Sequence, residues 1–168
     1  MLSRLIEFYK RKFYTGVEYG RSIGVRIGKD CKISTKYFGT EPYLIEIGNH
    51  VQVTDDVRFI THTGGWVFRK KNPKFDVFGE IKIGNNVYIG NCVVILPGVT
   101  IGDNVIVGAR SIVTKDVESD SVCVGIPARK IKSVTQYHEE IQLKSLGIGH
   151  FDRDSKEKEL RKIFKNEF

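Results

Sequence analysis

A six-residue period runs through the middle of the chain and restricts its possible folds more than any other feature. From Ile83 onward the sequence divides into IGNNVY, IGNCVV, ILPGVT, IGDNVI, VGARSI and VTKDVE. The first position of each unit is Ile or Val, the fifth is Val in five of the six, and Gly occupies the second position in four. The same frame occurs upstream in IGNHVQ and VTDDVR, which begin at Ile47 and Val53, and more weakly in IGKDCK, which begins at Ile27.

A period of six fits neither an α-helix, which repeats every 3.6 residues, nor a strand that alternates every two. It fits a short strand followed by a turn, in which the aliphatic first position points into a core. The Gly or Asn beside each corner would adopt backbone angles that are unfavourable for other residues. Three units would form one triangular coil of about eighteen residues, and stacked coils would pair strand to strand. The pattern therefore predicts a parallel β-helix rather than a series of β-hairpins, which rarely keep so strict a period.

The segment IGNNVYIGNCVVILPGVTIGDNVIVGARSIVTKDVESDSVCVGIPARKI resembles the hexapeptide-repeat transferases. Within that superfamily it is most similar to the maltose, galactoside and nodulation-factor O-acetyltransferases and to acetyltransferases of capsule, lipopolysaccharide and colanic acid gene clusters. The resemblance covers about residues 20–132 and implies an all-β, left-handed parallel β-helix, an exception to the usual right-handed crossover. It also implies acetyl-CoA as the cosubstrate and a homotrimer with active sites between subunits.

The domain organisation follows from where the repeat begins, ends and is interrupted. We expect a helical segment at residues 1–20, the β-helix at 21–132 and a helical segment at 133–168, with helices at 136–146 and 155–168. Residues 36–46 and 63–80 interrupt the repeat. The second interruption contains the only Trp, three Phe and four basic residues, and such aromatic content argues against disorder. It predicts an ordered loop that walls the active site, packs on a neighbouring subunit, or does both.

The N-terminal segment has apolar residues at helical spacing with basic residues between them. These apolar residues are Leu2, Leu5, Ile6, Tyr9 and Phe13. The pattern predicts an amphipathic helix that either caps the open end of the core or makes a weak contact with an anionic membrane surface. The charges exclude a secretory signal, and no apolar run approaches the roughly 18 residues of a membrane span, so we expect a cytoplasmic protein.

The net charge of +7 predicts an anionic partner, and part of the excess lies in Arg69, Lys70, Lys71 and Lys74. A phosphate-bearing cofactor or a membrane surface fits better than nucleic acid, because no nucleic-acid-binding motif is present.

The number and spacing of the three cysteines fit neither a disulfide framework nor a zinc site. We therefore expect them to be small buried apolar residues. They are Cys31, Cys92 and Cys123.

His62 is the predicted catalytic residue among four histidines. It follows the predicted strand VRFIT and begins the long loop, which is the place of the catalytic histidine in the family that the chain resembles. A neutral imidazole can take the proton of an acceptor hydroxyl as the acetyl group is transferred. His50 occupies a repeat corner, so we expect it to lie in a solvated turn. His138 and His150 lie outside the repeat. A γ-type carbonic anhydrase would need a third histidine within the coils, so no metal is expected.

Several acidic and aromatic residues are candidates around His62. Glu41, Asp55 and Asp56 are candidates to orient the imidazole. Glu41, Asp55 and Trp66 are predicted to contact the acceptor.

The resemblance also implies a set of residues that contact CoA. They are Tyr88, Asn91, Ala109, Thr114, Lys115, Arg129 and Lys132. A small side chain at Ala109 would let the pantetheine arm approach the backbone, and the basic side chains can pair with phosphate. The chain departs from the family pattern in two places, because Tyr88 stands where many relatives have Trp and Arg110 stands where a small residue is common.

The resulting prediction is an O-acetyltransferase that acts on a sugar, and we expect this sugar to be destined for a surface polysaccharide. The segments GTEPYLIEIG, VRFITHTGG and DVFG resemble those of relatives from such gene clusters. A xenobiotic acetyltransferase of the streptogramin or chloramphenicol type has the same fold and a histidine before a loop. A non-catalytic β-helix scaffold is the alternative from another functional class.

Overall fold

The computed structural model of the protein describes residues 2–164, with side chains from residue 4 onward. These residues form two compact units that divide between Thr135 and Gln136. The helices are α1 (Leu2–Phe13), α2 (Gly16–Ser22), α3 (Val134–Ile141) and α4 (Arg153–Ile163), with 3-10 turns at Pro42–Leu44, Gly65–Phe68 and Gln142–Lys144. The strands are β1 (Arg26–Ile27), β2 (Lys32–Ile33), β3 (Ile45–Ile47), β4 (Val51–Val53), β5 (Arg58–Phe59), β6 (Ile81–Ile83), β7 (Val87–Ile89), β8 (Val94–Ile95), β9 (Thr100–Ile101), β10 (Val105–Val107), β11 (Ile112–Val113), β12 (Ser121–Val124) and β13 (Arg129–Lys132).

The strands form three parallel sheets that the chain visits in turn. Sheet A has the order β1-β3-β6-β9, sheet C has the order β5-β8-β11, and sheet B has the order β2-β4-β7-β10-β12 with β13 added antiparallel at its end. Ile47 pairs with Ile83, 36 residues later, whereas Ile83 pairs with Ile101 after 18. The interruption at residues 63–80 therefore leaves the register of the coils intact, and the predicted parallel β-helix is confirmed.

In the strands that follow the repeat, the first and fifth positions point inward and the sixth points outward. In β7, Val87 and Ile89 are buried while Tyr88 is exposed. The inward direction expected for the first position is confirmed, and the fifth position shares it. Val and Ile side chains are buried at both positions in successive coils, and together they form one continuous apolar core inside the β-helix.

The corners explain the other repeat positions. The fourth position has a left-handed backbone in successive units, which favours Asn and Gly; its members include Asp30, His50, Asp56, Asn86, Gly98, Asn104 and Arg110. Gly occurs at the second position of most units for a different reason, which is the close approach of the next coil. A Cβ atom on Gly48 would lie 2.5 Å from the carbonyl oxygen of Gly84 in the next coil. The ring of His50 lies at such a corner, with Nδ1 2.8 Å from Oδ1 of Asn86, so its predicted place in an exposed turn is confirmed.

The helix α2, rather than α1, closes the N-terminal end of the core. Thr15 and Glu18 form a reciprocal capping box that starts α2. Tyr19 of α2 is buried beside Phe38, whose ring stacks on Phe59 with centroids 5.5 Å apart. The helical segment thus continues beyond the expected boundary at residue 20.

The expectation that the cysteines are buried is wrong for Cys92. Cys123 is buried and Cys31 is half-buried, but Cys92 is exposed. The reason is that Cys92 occupies the fourth, outward-facing corner position, where its φ of 60° matches the other units. Burial raises the pKa of the Cys123 thiol, which lowers the fraction of thiolate at neutral pH.

The helices after the repeat begin earlier than the sequence pattern predicts. The carboxylate of Asp120, at a β-helix corner, accepts hydrogen bonds from the backbone N–H groups of Val134 and Thr135, so α3 starts at Val134. Asp152 caps α4 through the N–H of Ser155. The last four residues of the helix expected at 155–168 lie outside the described residues. Among residues 2–164, no helix has the length and apolar character needed to cross a membrane.

Candidate active site

The candidate site lies at the edge between sheets C and A, where the long loop leaves the second coil. Strand β5 is followed by Thr61 and His62, and the loop returns through residues 77–79. The N–H of Thr63 donates to the carbonyl of Val77 (3.0 Å), and the N–H of Gly79 donates to that of Thr61 (2.9 Å). These two hydrogen bonds close the loop at its base and fix the backbone of His62 there.

Glu41 meets His62 from the neighbouring coil. It belongs to the shorter interruption, residues 36–46, which lies at the same edge of the β-helix, between sheets C and A. Its Oε2 atom lies 3.0 Å from Nδ1 of His62. The hydroxyl of Thr61 donates to the same oxygen (2.5 Å), and the hydroxyl of Thr40 donates to Oε1 (2.8 Å). Thr61 is fully buried, and the Glu41 side chain is only 16% exposed, so this carboxylate is held on several sides.

The hydrogen bonds determine the charge of Glu41. Burial alone raises its pKa, but the hydrogen bonds from Thr61, Thr40 and His62 outweigh burial and hold the pKa below its usual value. Glu41 is therefore ionised at neutral pH. An ionised carboxylate accepts from Nδ1–H, which leaves Nε2 as the ring nitrogen that can take a proton. The ring is 46% exposed, so an acceptor molecule can reach it.

The loop at residues 63–80 is held by its own side chains. Arg69 forms an ion pair with Asp76 and donates to the carbonyl of Phe75, and the rings of Phe68 and Phe75 lie 4.9 Å apart. Trp66, predicted to contact the acceptor, is 79% exposed. Phe78 lies beside the catalytic candidate, with its ring 6.2 Å from that of His62. The loop thus presents aromatic surface next to the imidazole.

Part of the predicted CoA set shares an edge with His62. Thr114 and Lys115 follow β11 at the edge between sheets C and A, two coils beyond His62. A cleft of about 340 Å³ is lined by Lys115 and Arg129, together with Lys130, Asp116 and Glu118. The structure therefore brings two predicted phosphate-binding residues to one cleft, where two carboxylates accompany them.

The other predicted residues lie elsewhere on the same chain. Asn91 and Ala109 occupy successive corners between sheets B and C, where the N–H of Arg110 donates to the carbonyl of Asn91. Asp55 lies at the same edge one coil earlier, so a single chain does not bring it to His62. Tyr88 faces outward from sheet B, and Lys132 ends β13.

Sequence reasoning missed Thr40 and Thr61. The motif FITHT places Thr61 directly before His62, but threonine at a repeat corner is common and carries no chemical signature. Its contact with Glu41 joins residues 20 apart across an insertion that breaks the period, so the spacing did not reveal it.

Comparison with known proteins finds one matching family model and several relatives of similar sequence. The family model described as "Bacterial transferase hexapeptide (six repeats)" matches residues 80–115. Protein CapG of Staphylococcus aureus is 55% identical over 125 residues, which cover 72% of this chain and 73% of CapG. The chain belongs to the hexapeptide-repeat transferase family. The galactoside O-acetyltransferase of Escherichia coli K12 is 38% identical over 69% of this chain, which spans only 56% of that relative.

Solved structures agree with this assignment. A maltose O-acetyltransferase from Clostridium difficile 630 is 32% identical, with a TM-score of 0.53 over 68% of this chain and 72% of its own. The acetyltransferase VCA0836 from Vibrio cholerae, in complex with acetyl-CoA, is 33% identical, with a TM-score of 0.60 over 66% and 61%. A galactoside acetyltransferase bound to CoA is 26% identical, with a TM-score of 0.55 over 81% and 80%. The likeness implies left-handed winding and confirms the predicted class of enzyme, an acyltransferase.

Proposed function

We propose that this protein is an acetyl-CoA-dependent O-acetyltransferase that transfers an acetyl group to a sugar hydroxyl, with His62 as general base. The pairing of His62 Nδ1 with the ionised Glu41 carries the proposal. It leaves Nε2 as the ring nitrogen that can take a proton, in a side chain that is 46% exposed. The relatives solved with CoA and acetyl-CoA support the choice of cosubstrate.

In the proposed mechanism, Nε2 of His62 takes the proton of the acceptor hydroxyl while the hydroxyl oxygen bonds to the acetyl carbon. The carbon–sulfur bond of the thioester then breaks, and the CoA thiolate takes the proton back from the imidazolium. Glu41 stays ionised throughout and stabilises the transient positive charge on His62. His62 ends in its neutral form, ready for another turnover, and no covalent enzyme intermediate is needed.

The cleft that contains Lys115 and Arg129 fits the phosphates of CoA. Arg can bind phosphate oxygens through two N–H groups, and Lys supplies a compact charge. The carboxylates of Asp116 and Glu118 line the same cleft and would limit how deeply a phosphate enters.

A homotrimer would complete the site, because Asn91, Ala109 and Tyr88 lie away from His62 in one chain. We propose that the edge carrying Asn91 and Ala109 in one subunit faces His62 of the next. The pantetheine arm would then lie between subunits. Lys132 and Thr114 complete the proposed CoA contacts.

A saccharide acceptor is supported by the similarity to a galactoside O-acetyltransferase. A role in surface polysaccharide synthesis, in the cytoplasm, is proposed from the sequence resemblance alone. Aromatic rings commonly cover the apolar face of a sugar. Phe78 offers such a surface beside His62, and Trp66 is an exposed ring on the same loop. Glu41 is better suited to orienting His62 than to binding the acceptor, because its oxygens are already engaged by three side chains.

The direct test compares the wild type with His62→Ala. We expect the variant to lose acetylation of galactosides and related saccharides while calorimetry shows unchanged acetyl-CoA binding. Near-normal turnover by the variant would refute the base role. Wild-type acetylation of chloramphenicol or a streptogramin in place of sugars would refute the proposed acceptor, and failure to bind acetyl-CoA at all would favour a non-catalytic scaffold.

A further inference from the structure

Helix α1 exposes a row of large apolar side chains. Leu5, Ile6, Tyr9 and Phe13 are between 47% and 61% exposed, and Phe8 is 64% exposed. In a helix of 3.6 residues per turn, Leu5, Ile6, Tyr9 and Phe13 fall within an arc of about 100°. An arc of this width is the usual size of a helix face that packs against an apolar partner.

The hydrogen bonds and the cation–π contact that join α1 to α2 and to the first coil come from the opposite, polar side. Tyr19 donates a hydrogen bond of 2.6 Å to the Glu7 carboxylate. The guanidinium of Arg11 lies 5.4 Å from the centre of the Tyr37 ring, and Nζ of Lys36 donates to the carbonyl of Arg11 (2.5 Å). Glu7 and Arg11 are adjacent on the helical surface and lie across from the apolar arc. The helix is therefore attached mainly through its polar side, and most of its apolar face is left exposed.

Charge distinguishes the possible partners for this face. Helix α1 carries Arg4, Lys10, Arg11 and Lys12 against the single acid Glu7. On a helical projection Lys10 and Lys12 flank the apolar arc on its two sides, where long side chains can extend toward phosphate groups while the arc is buried. The α1 helix of a second copy, packed on this face, would bring its own basic residues next to Lys10 and Lys12.

We propose that α1 lies flat on a bilayer surface that contains anionic phospholipid. The apolar arc enters the boundary between headgroups and acyl chains, and Lys10 and Lys12 contact lipid phosphates. The body attached through Glu7 and Arg11 stays in water. This arrangement is independent of the acetyltransferase chemistry, because α1 contributes no residue to the candidate active site.

The test is co-sedimentation of the full-length protein with phosphatidylcholine vesicles, with and without phosphatidylglycerol. We expect binding to the anionic vesicles that weakens in high salt, and much weaker binding to the neutral ones. The double variant Lys10→Glu/Lys12→Glu should bind anionic vesicles at least about tenfold more weakly. The control Lys29→Glu/Lys158→Glu changes the net charge equally outside α1 and should retain binding.

A second pair of variants tests the apolar face. Ile6→Ser/Phe13→Ser should lose vesicle binding, whereas Leu143→Ser/Ile163→Ser, at exposed positions outside α1, should keep it. Circular dichroism checks that each variant is folded, and light scattering gives its oligomeric state. The proposal is refuted if the wild type does not bind anionic vesicles or if the controls lose binding as much as the α1 variants. It is also refuted if the α1 variants lose an oligomer but still bind vesicles.

Discussion

At the scale of single residues, the charge on Glu41 is what makes His62 useful. Glu41→Gln keeps the size of the side chain but removes the negative charge that stabilises a protonated imidazole. We expect kcat to fall by about a hundredfold or more, with acetyl-CoA affinity unchanged in calorimetry. The control is Glu46→Gln, an exposed carboxylate in sheet A that pairs with Arg26. If Glu41→Gln and Glu46→Gln behave alike, Glu41 has no part in the reaction.

Thr61 is a positioning residue whose hydroxyl helps to hold the pKa of Glu41 below its usual value. The variant Thr61→Val removes a buried donor to the carboxylate, which should cost about 1–3 kcal/mol of unfolding free energy at neutral pH. Thr61→Ser keeps the donor and should lose much less.

The pH dependence of this loss follows from the lowered pKa of Glu41. A carboxyl with a lowered folded-state pKa stabilises the protein above its unfolded-state pKa, and this contribution is lost as pH falls through the folded-state pKa. The difference between wild type and Thr61→Val should therefore shrink as the pH of urea denaturation is lowered from 7 through the acid range. A difference that stays constant with pH would assign Thr61 a packing role only.

At the scale of structural elements, the repeat is enforced by contacts between coils. Gly48→Ala would place a Cβ atom 2.5 Å from the backbone oxygen of Gly84, and the N–H groups of both glycines are hydrogen-bonded to the next coil. We expect a loss of about 1–3 kcal/mol or more, measured as a lowered Tm. Gly64→Ala, where a Cβ atom meets nothing within 4 Å, should leave Tm nearly unchanged. Equal effects of the two substitutions would show that close coil stacking is not the constraint.

The loop at residues 63–80 adds function without adding to the core. Trp66→Ala removes a side chain that is 79% exposed, so Tm should stay the same. If Trp66 covers the sugar, KM for the acceptor should rise several-fold while KM for acetyl-CoA is unchanged. The exposed neighbour Val67 provides the control, Val67→Ala. A drop in Tm without a change in acceptor KM would place Trp66 in a structural contact instead.

The regular elements were predictable and the irregular ones were not, for a physical reason. Wherever the period holds, each residue's direction follows from its position, as for Val87 and Ile89, because every coil copies the one before it. Glu41 lies in an insertion whose length is not a multiple of the period, so its meeting with His62 depends on three-dimensional folding. The outward apolar face of α1 depends on the hydrogen bond between Glu7 and Tyr19, which no local pattern encodes.

At the scale of the whole molecule, the separation of His62 from Ala109 on different edges predicts a site shared between subunits. His62→Ala removes the base, and Ala109→Trp fills the space proposed for the pantetheine arm, so each variant alone should be inactive. In a cyclic trimer formed from an equal mixture, a mixed trimer has one interface that joins an intact His62 to an intact Ala109. Random mixing should therefore restore about a quarter of wild-type activity. The measurement is acetyl transfer after the two variants are co-expressed, with trimer formation checked by light scattering. If each active site were built within one chain, every site in the mixture would carry a defect, and activity would stay at the level of the separate variants.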